Sequence, residues 1–589
     1  MKSVKFKILF LGLFVVLTSS SGYCDVRASD IIRIEQQNKM ISGVVVDENG
    51  EPIIGATVRD VGSTEKAVTD LDGKFSINVP IGARLSVSYI GYKTQVLKTE
   101  SSSVKIHLEE DNKTLNEVVV VGFGTQRKSD LTGAVSVVTG KDLANAPVTN
   151  ATQALQGMVP GLQITQGNGS LEDTPSINVR GTTTIGQGTN GSPLILIDGM
   201  EGDLNTVNPQ DIESISVLKD AAASSIYGSR APFGVILITT KSGSKNGKVQ
   251  INYNNSFRWG KPINMKHMMN SVDFASWMND TFTDGGGGVY FTADRMKNIM
   301  AYANAHPSGL GKRIASDGTP LYAISSSNGS TWDDAYATAI DDVDWYDVIY
   351  KKTTFSQSHN FSVNGGTDKF NYYTSFNYLD QGGLMKLGSE GLNRYNATAK
   401  INATLTNWLK MNYSMRFDRE DYKRPSSLTS GLYSDMARQG WPVLPLYDRN
   451  GYYYESWALS LASGGTDKTQ TDNSYHQIGF VIEPIKNWLT HIEFNYHIKS
   501  QNRHWDKQYT YNHDVSGNPI IFDTSSNVHE DYYKENYYNF QVYSEYTRSF
   551  LEKHHFHIMG GFQAEDLKQT QFGLQTYGIL IPDKPEIDM

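Results

Sequence analysis

A single cysteine, Cys24, occurs in the 589 residues. A chain so poor in thiols holds no intramolecular disulfide framework and has no cysteine-ligated metal site. No segment beyond the first residues approaches roughly 18 consecutive apolar residues, which excludes a membrane-spanning helix and leaves spanning strands open. Positive charge is also short: 53 Lys and Arg against 62 Asp and Glu give a net charge of −9, so nucleic acid is not the expected partner. No nucleophile–base pair or coupled carboxylate dyad stands out, and the chain is not read as an enzyme.

What the chain has instead is 33 Tyr, 23 Phe and 53 Gly. Its first residues combine Lys2, Lys5 and Lys7 with the apolar run Ile8 to Leu17 and then Ser19, Ser20, Ser21 and Gly22. That is a secretory signal peptide over 1–28, cut between Gly22 and Ala28. A lipidation signal wants a small residue before the cysteine, and Tyr23 is large. Exported, aromatic-rich and cysteine-free is the composition of a β-barrel of the bacterial outer membrane.

Residues 41–110 alternate short β-branched runs with Asx-Gly turns, among them Asp47-Glu48-Asn49-Gly50 and Asp70-Leu71-Asp72-Gly73. Close strand spacing with such turns predicts a small antiparallel sandwich. Asp70 and Asp72 have the look of a calcium loop, but no bidentate glutamate follows, so turn chemistry accounts for them. With Val79-Pro80 and Tyr89-Ile90-Gly91-Tyr92, the segment resembles the carboxypeptidase-regulatory-like β-sandwich.

Residues 111–124 form a linker that ends in Glu117-Val118-Val119-Val120-Val121. Four valines favour extended backbone. Such a run is either a buried strand of the next domain or a strand that adds to another protein's sheet edge. From 125 to 246, strand and helix signals alternate: strands at 134–138, 176–181, 193–199 and 234–241, and helices over 150–159, from 208, and over 221–227. This predicts a compact α+β domain with glycine-rich connections.

From 248 to 589 the period becomes two. Tyr395, Ala397, Ala399, Ile401, Ala403 and Leu405 alternate with Asn396, Thr398, Lys400, Asn402 and Thr404. Nine strands are expected, at 248–257, 354–364, 369–379, 394–406, 408–418, 475–485, 489–500, 536–548 and 554–566. Long connections (258–353, 380–393, 419–474, 501–535) alternate with short ones such as Asn407 and Lys486-Asn487-Trp488. A soluble sandwich gives no reason for that alternation, whereas a membrane barrel has short turns on one rim and long loops on the other. Trp408 and Trp488 fall where an interfacial aromatic girdle belongs.

With these residues assembled, the chain resembles the SusC/RagA-type TonB-linked outer-membrane transporters. The resemblance is carried by Leu115 through Ala134, Asn178-Val179-Arg180-Gly181, Pro193 to Gly199, and Asp211-Ile212-Glu213-Ser214 on through Lys219-Asp220-Ala221. Ile226-Tyr227-Gly228-Ser229-Arg230, Gly234 to Lys241 and Asp344-Trp345-Tyr346-Asp347 extend it; Ala231-Pro232-Phe233 departs from it. It implies that Glu117 to Val121 is a TonB box that binds TonB of the inner-membrane energy-coupling complex. It also implies that 125–246 is a plug inside a barrel, with Arg180, Gly181, Asp198, Gly199, Lys219, Asp220, Tyr227, Gly228 and Arg230 as its motif residues.

The implied function is active import of an oligosaccharide or peptide with a SusD-like lipoprotein, in contact with outer-membrane lipid and without a cofactor. A siderophore or vitamin receptor, or a non-transporting signalling or adhesion barrel, are the alternatives. A plugged barrel needs roughly 22 strands. With nine, this chain is expected to be the N-terminal part of a longer protein.

Three further features have weaker readings. His555 and His557 share a strand face at a spacing metals use, without a third ligand assigned. Asp341, Asp342 and Asp344 read as a solvated acidic loop in preference to a calcium site. Tyr452-Tyr453-Tyr454-Glu455-Ser456-Trp457 fits sugar stacking and a rim girdle equally.

Overall fold

The computed structural model describes residues 38–589 apart from 48–49, 63–64, 81, 90–91, 100, 110–117, 122–123, 128–133, 145–147, 168, 172–173, 182–190, 246, 551–553, 580–584 and 587–589. The signal peptide at 1–28, Glu117 and the motif residues 128–133 lie outside the described residues. The chain divides into two compact units, Met1–Glu117 and Val118–Met589.

The first unit is a sandwich. One sheet orders Lys74–Pro80, Asn38–Val46 and Ser103–His107; the other orders Lys66–Val68, Thr57–Asp60, Arg84–Ser88 and Gln95–Lys98. Alternation in Lys74–Pro80 turns Phe75, Ile77 and Val79 inward, onto Ile41, Val45, Val58, Leu85, Val87 and Ile106. Burying each such side chain contributes roughly 1.5–3 kcal/mol.

The sandwich is not wholly antiparallel. Ser42 to Val46 run parallel to Ser103 to His107, because the first and last strands meet as neighbours and the whole intervening chain serves as their crossover. Gln95–Lys98 carried no strand signal, since three of its four residues are exposed and its period is weak. Asp70 Oδ1 accepts from the amides of Asp72 (3.0 Å) and Lys74 (2.8 Å), which is the turn chemistry expected there.

In the second unit, Val118–Val121 forms an antiparallel hairpin with Gly124–Arg127. A five-stranded sheet follows, ordered Val135–Thr139, Ile212–Leu218, Val235–Thr240, Leu194–Ile197 and Met200–Glu201. Ile197, Leu204, Ile212, Ile215, Val217, Ile236 and Ile238 pack one side with the helix Ala151–Leu155; Leu194, Leu196, Leu218, Val235 and Leu237 pack the other. The helical readings shorten. Pro209–Asp211 is one 3₁₀ turn that hands straight to a strand, and 221–230 divides into Ala221–Ser224 and a 3₁₀ segment kinked at Gly228 (φ 57°).

The remaining chain builds a nine-stranded antiparallel sheet in sequence order: Gln250–Gly260, Thr354–Gly366, Phe370–Gly382, Gly391–Thr406, Leu409–Pro425, Thr466–Ile485, Trp488–Lys507, Asn527–Phe550 and His554–Tyr577. Strand length rises from 11 to 24 residues. The short turns stay where expected, so the growth is all on the long-loop rim. A strand of 24 residues reaches about 80 Å, far more than a bilayer needs.

This sheet inverts the usual burial rule. Phe361, Phe376, Phe494, Phe540, Ile558 and Phe562 are exposed on one face, while Asn360, Ser375, Asn396, Lys400, Asp418, Asn495 and Gln541 are buried on the other. On Leu409–Pro425 the outward row Leu409, Met411, Tyr413, Met415 and Phe417 gives way to Arg419, which grips Asp472 with two bonds of 2.6 Å. An apolar band of about nine residues bounded by charge matches the height of a bilayer core crossed at a tilt.

The long loops carry structure of their own. Ser271–Asp284 and Ala293–Asn304 pack Ala275, Met278, Phe291 and Ile299 against Val443 from a later loop. Asp341 is buried and accepts from the amides of Leu446 (3.0 Å) and Asp342 (2.8 Å), and Asp344 caps Trp345–Ile349. These carboxylates therefore join loops together; they do not form a solvated cluster.

Candidate functional site

The plug meets the polar face of the sheet, and an Asp-Gly turn makes the central contact. Asp198 and Gly199 join Leu194–Ile197 to Met200–Glu201 as a two-residue hairpin, with φ of 50° and 88°. Both residues need left-handed backbone, which Asp tolerates and Gly adopts freely, so Asp-Gly is the expected pair for this turn. The turn aims the Asp198 carboxylate across the sheet. It accepts from the Thr240 amide (2.9 Å) and hydroxyl (2.7 Å) and from Lys400 Nζ (2.8 Å) on the fourth strand of the wall. Lys400 also donates to the Thr240 carbonyl (3.0 Å), and Gln477 to the Asp198 carbonyl (3.1 Å). Burial pushes the Asp198 carboxyl up, but Lys400 and Thr240 outweigh it and hold the group below the ordinary carboxylate range.

A second buried acid behaves in the opposite way. Asp211 accepts from Tyr373 Oη (2.7 Å) and Ser375 Oγ (2.8 Å) on the third strand, with no ion-pair partner among the described residues. Burial raises its carboxyl above the ordinary range despite these bonds. Asn396 Nδ2 donates to the Thr206 carbonyl (2.7 Å), and a Cβ at Gly243 would fall 2.4 Å from the Tyr372 backbone nitrogen, so the chain leaves the plug hard against the wall.

The motif residues divide into two groups. Arg180, Gly181, Lys219 and Asp220 stay within the plug: Arg180 (φ 58°) bonds Asp220, Asp220 accepts from the Ala134 amide (2.7 Å), and Lys219 donates to the Pro160 carbonyl (2.8 Å). Gly181 (φ 84°) and Gly228 (φ 57°) take positive φ, and Tyr227 packs against the apolar cluster that contains Leu194, Leu218 and Val235. Asp198, Gly199 and Arg230 face the wall, where Arg230 pairs with Glu201 of the plug and Glu565 of the ninth strand. Lys400, Thr240, Tyr373 and Ser375 were not singled out from sequence. The available signal was Lys400 itself, the one full charge in an otherwise neutral inward row from Asn396 to Thr404.

Above the plug, a cavity of about 810 Å³ opens between Gly169-Ser170-Leu171 and the upper ends of the wall strands. Tyr350, Tyr433, Gln381, Glu390, Lys261 and Arg424 line it, a mix of aromatic and polar groups suited to a hydroxylated or amide-bearing solute. His557 Nε2 lies 3.0 Å from Glu545, which also contacts His491 (3.3 Å), and no group of metal-type residues able to hold an ion occurs among the described residues.

Comparison with known proteins agrees with this architecture. Residues 127–235 match the TonB-dependent Receptor Plug Domain, and 41–120 match the CarboxypepD_reg-like domain. The chain is 28% identical over 560 residues to TonB-dependent receptor P26 of Formosa agariphila, covering 92% of this chain and 50% of that protein. It is 30% identical over 451 residues to TonB-dependent receptor SusC of Bacteroides thetaiotaomicron, covering 74% and 40%. The RagAB peptide importer in its open-open state superposes with a TM-score of 0.63 at 24% identity, over 80% of this chain and 52% of that one, which shows a shared fold. The chain thus spans half or less of the length of these curated relatives. By its domains and its relatives, the chain is a homologue of the SusC-type TonB-dependent receptors.

Proposed function

We propose that the chain forms part of an outer-membrane importer that takes up an oligosaccharide or a peptide, energised through TonB and working with a SusD-like lipoprotein. The observation that carries this reading is the inside-out sheet: apolar side chains face outward and exposed, and a separate plug fills the polar face. Such a surface is stable in lipid and not in water. The sandwich then lies in the periplasm and the structured long loops outside the cell.

Val118–Val121 has one strand partner among the described residues, Gly124–Arg127, so its second edge is the one that strand addition by TonB uses. A pull there acts on a plug tied to the wall, among the described residues, by a handful of buried hydrogen bonds at about 1 kcal/mol each and two ion pairs, Asp198–Lys400 and the more exposed Arg230–Glu565. That total is on the scale of ordinary marginal stability, so the plug can be remodelled without unfolding the sheet. The role is transport, in keeping with relatives described as TonB-dependent receptors.

The substrate class is tested by growth of cells carrying or lacking the gene on single oligosaccharides and on defined peptides. Loss of growth on one class, restored by the gene, supports import of that class. Equal growth on every source with and without the gene contradicts the reading.

A further inference from the structure

A second cavity, of about 430 Å³, lies between the plug turn at 208–210 and the first three strands of the sheet. Among the described residues that line it there is no carboxylate, and the only charge is Arg258, set among Thr149, Asn208, Asn254, Ser358 and Asn377. Arg258 belongs to the inward row of Gln250–Gly260, with Asn252, Asn254 and Ser256. Its Nε and Nη2 are buried and have no hydrogen-bond partner, and it forms no ion pair among the described residues.

Asn208 repeats the pattern. Its side chain is buried, and its Oδ1 already accepts from the Gln210 amide (3.1 Å), which fixes the orientation of the carboxamide. The remaining Nδ2 has no partner. The buried plug acid that follows the cavity-lining turn at 208–210, Asp211, is engaged by Tyr373 and Ser375 and forms no ion pair with Arg258.

Arg258 is half-buried, and two of its guanidinium donors are shut off from water without an acceptor, which costs free energy that a counter-charge would offset. The missing component is an acceptor with negative charge. Nε and Nη2 share one edge of the planar guanidinium, and that edge matches the two oxygens of a carboxylate or sulfate. We propose that this cavity binds the acidic group of a solute, a carboxylate or a sulfate or phosphate ester, with Arg258 as its charge partner and Asn208 as an additional donor. Binding follows from the plug–sheet geometry alone; that a solute meets the site in transit rests on the import reading above.

The test is anomalous diffraction at the selenium edge from crystals of the intact protein grown with selenate, joined to titration calorimetry with galacturonate, galactose 6-sulfate and neutral galactose. One selenate peak is expected in the cavity, lost in Arg258→Gln. At least one of the two acids is expected to bind about tenfold or more tightly to the wild type than to Arg258→Gln, and galactose not to discriminate. Which acid responds separates a carboxylate site from a sulfate-ester site.

Should Arg258→Gln fail to fold, Arg258→Lys keeps the charge and loses the fork, and weaker galacturonate or sulfate-ester binding is expected. Water alone in the cavity, a peak that persists in Arg258→Gln, or acid affinity unchanged in the folded variant overturns the proposal. Because the readout is binding to purified protein, failure here is distinguishable from failure of energy-coupled uptake.

Discussion

Lys400 of the sheet donates to Asp198 of the plug at 2.8 Å, with side chains only 11% and 15% exposed. Each charge is removed from water, so each depends on the other. Breaking a buried pair by removing one partner costs about 3–5 kcal/mol. Asp198→Asn and Lys400→Met are each expected to lower, by that order, the urea stability of the plug, read as the concentration at which a protease enters it. The double variant is expected to lie closer to wild type than either single one, since it strands no charge. Additive losses in the double variant contradict the pairing.

Asp211 sits in the same interface, yet its carboxyl titrates above the ordinary range because burial outweighs the bonds from Tyr373 and Ser375. A neutral side chain of the same shape therefore loses little. Asp211→Asn is expected to change the same protease-entry stability by no more than about 1 kcal/mol. A loss as large as that of Asp198→Asn contradicts the assignment of opposite roles.

The long loops have a pH dependence of calculable sign. Burial pushes the Asp341 carboxyl up from 3.8 to about 6, with the Leu446 and Asp342 amides opposing. A raised folded value means that the fold favours the protonated form. The resulting stability is fully present below pH 3.8 and is lost as pH rises through about 6, a change of about 3 kcal/mol. Hydrogen exchange at the Leu446 amide, corrected for intrinsic rate, is expected to show less protection at pH 7 than at pH 5. Equal or greater protection at pH 7 contradicts this account.

The sheet was the most legible part of the sequence, because a period of two over nine or more residues has one physical cause, a polar face packed on the plug and an apolar face turned away from it. All nine strands lie where alternation placed them, but Asn527–Phe550 and His554–Tyr577 run far past the expected outer ends. Beyond the apolar band both faces are polar, as Arg419 and Asp472 show, and the period vanishes although the hydrogen-bonded ladder continues. Short plug helices were over-read for a related reason: Pro209 sets a first turn, and only the tertiary demand of the Ile212–Leu218 strand ends it after three residues. The partners of Asp198 were not legible, since Thr240 and Lys400 lie 42 and 202 residues away. Their pairing is a property of the folded interface, and the unusual inward lysine was its one trace.

The most direct test of TonB-driven import is deletion of Glu117 to Val121 in the intact protein, with solute binding and uptake measured side by side in the same cells. The account predicts that membrane insertion and binding persist while uptake falls to the level of cells lacking TonB. Uptake at the wild-type rate after the deletion contradicts it.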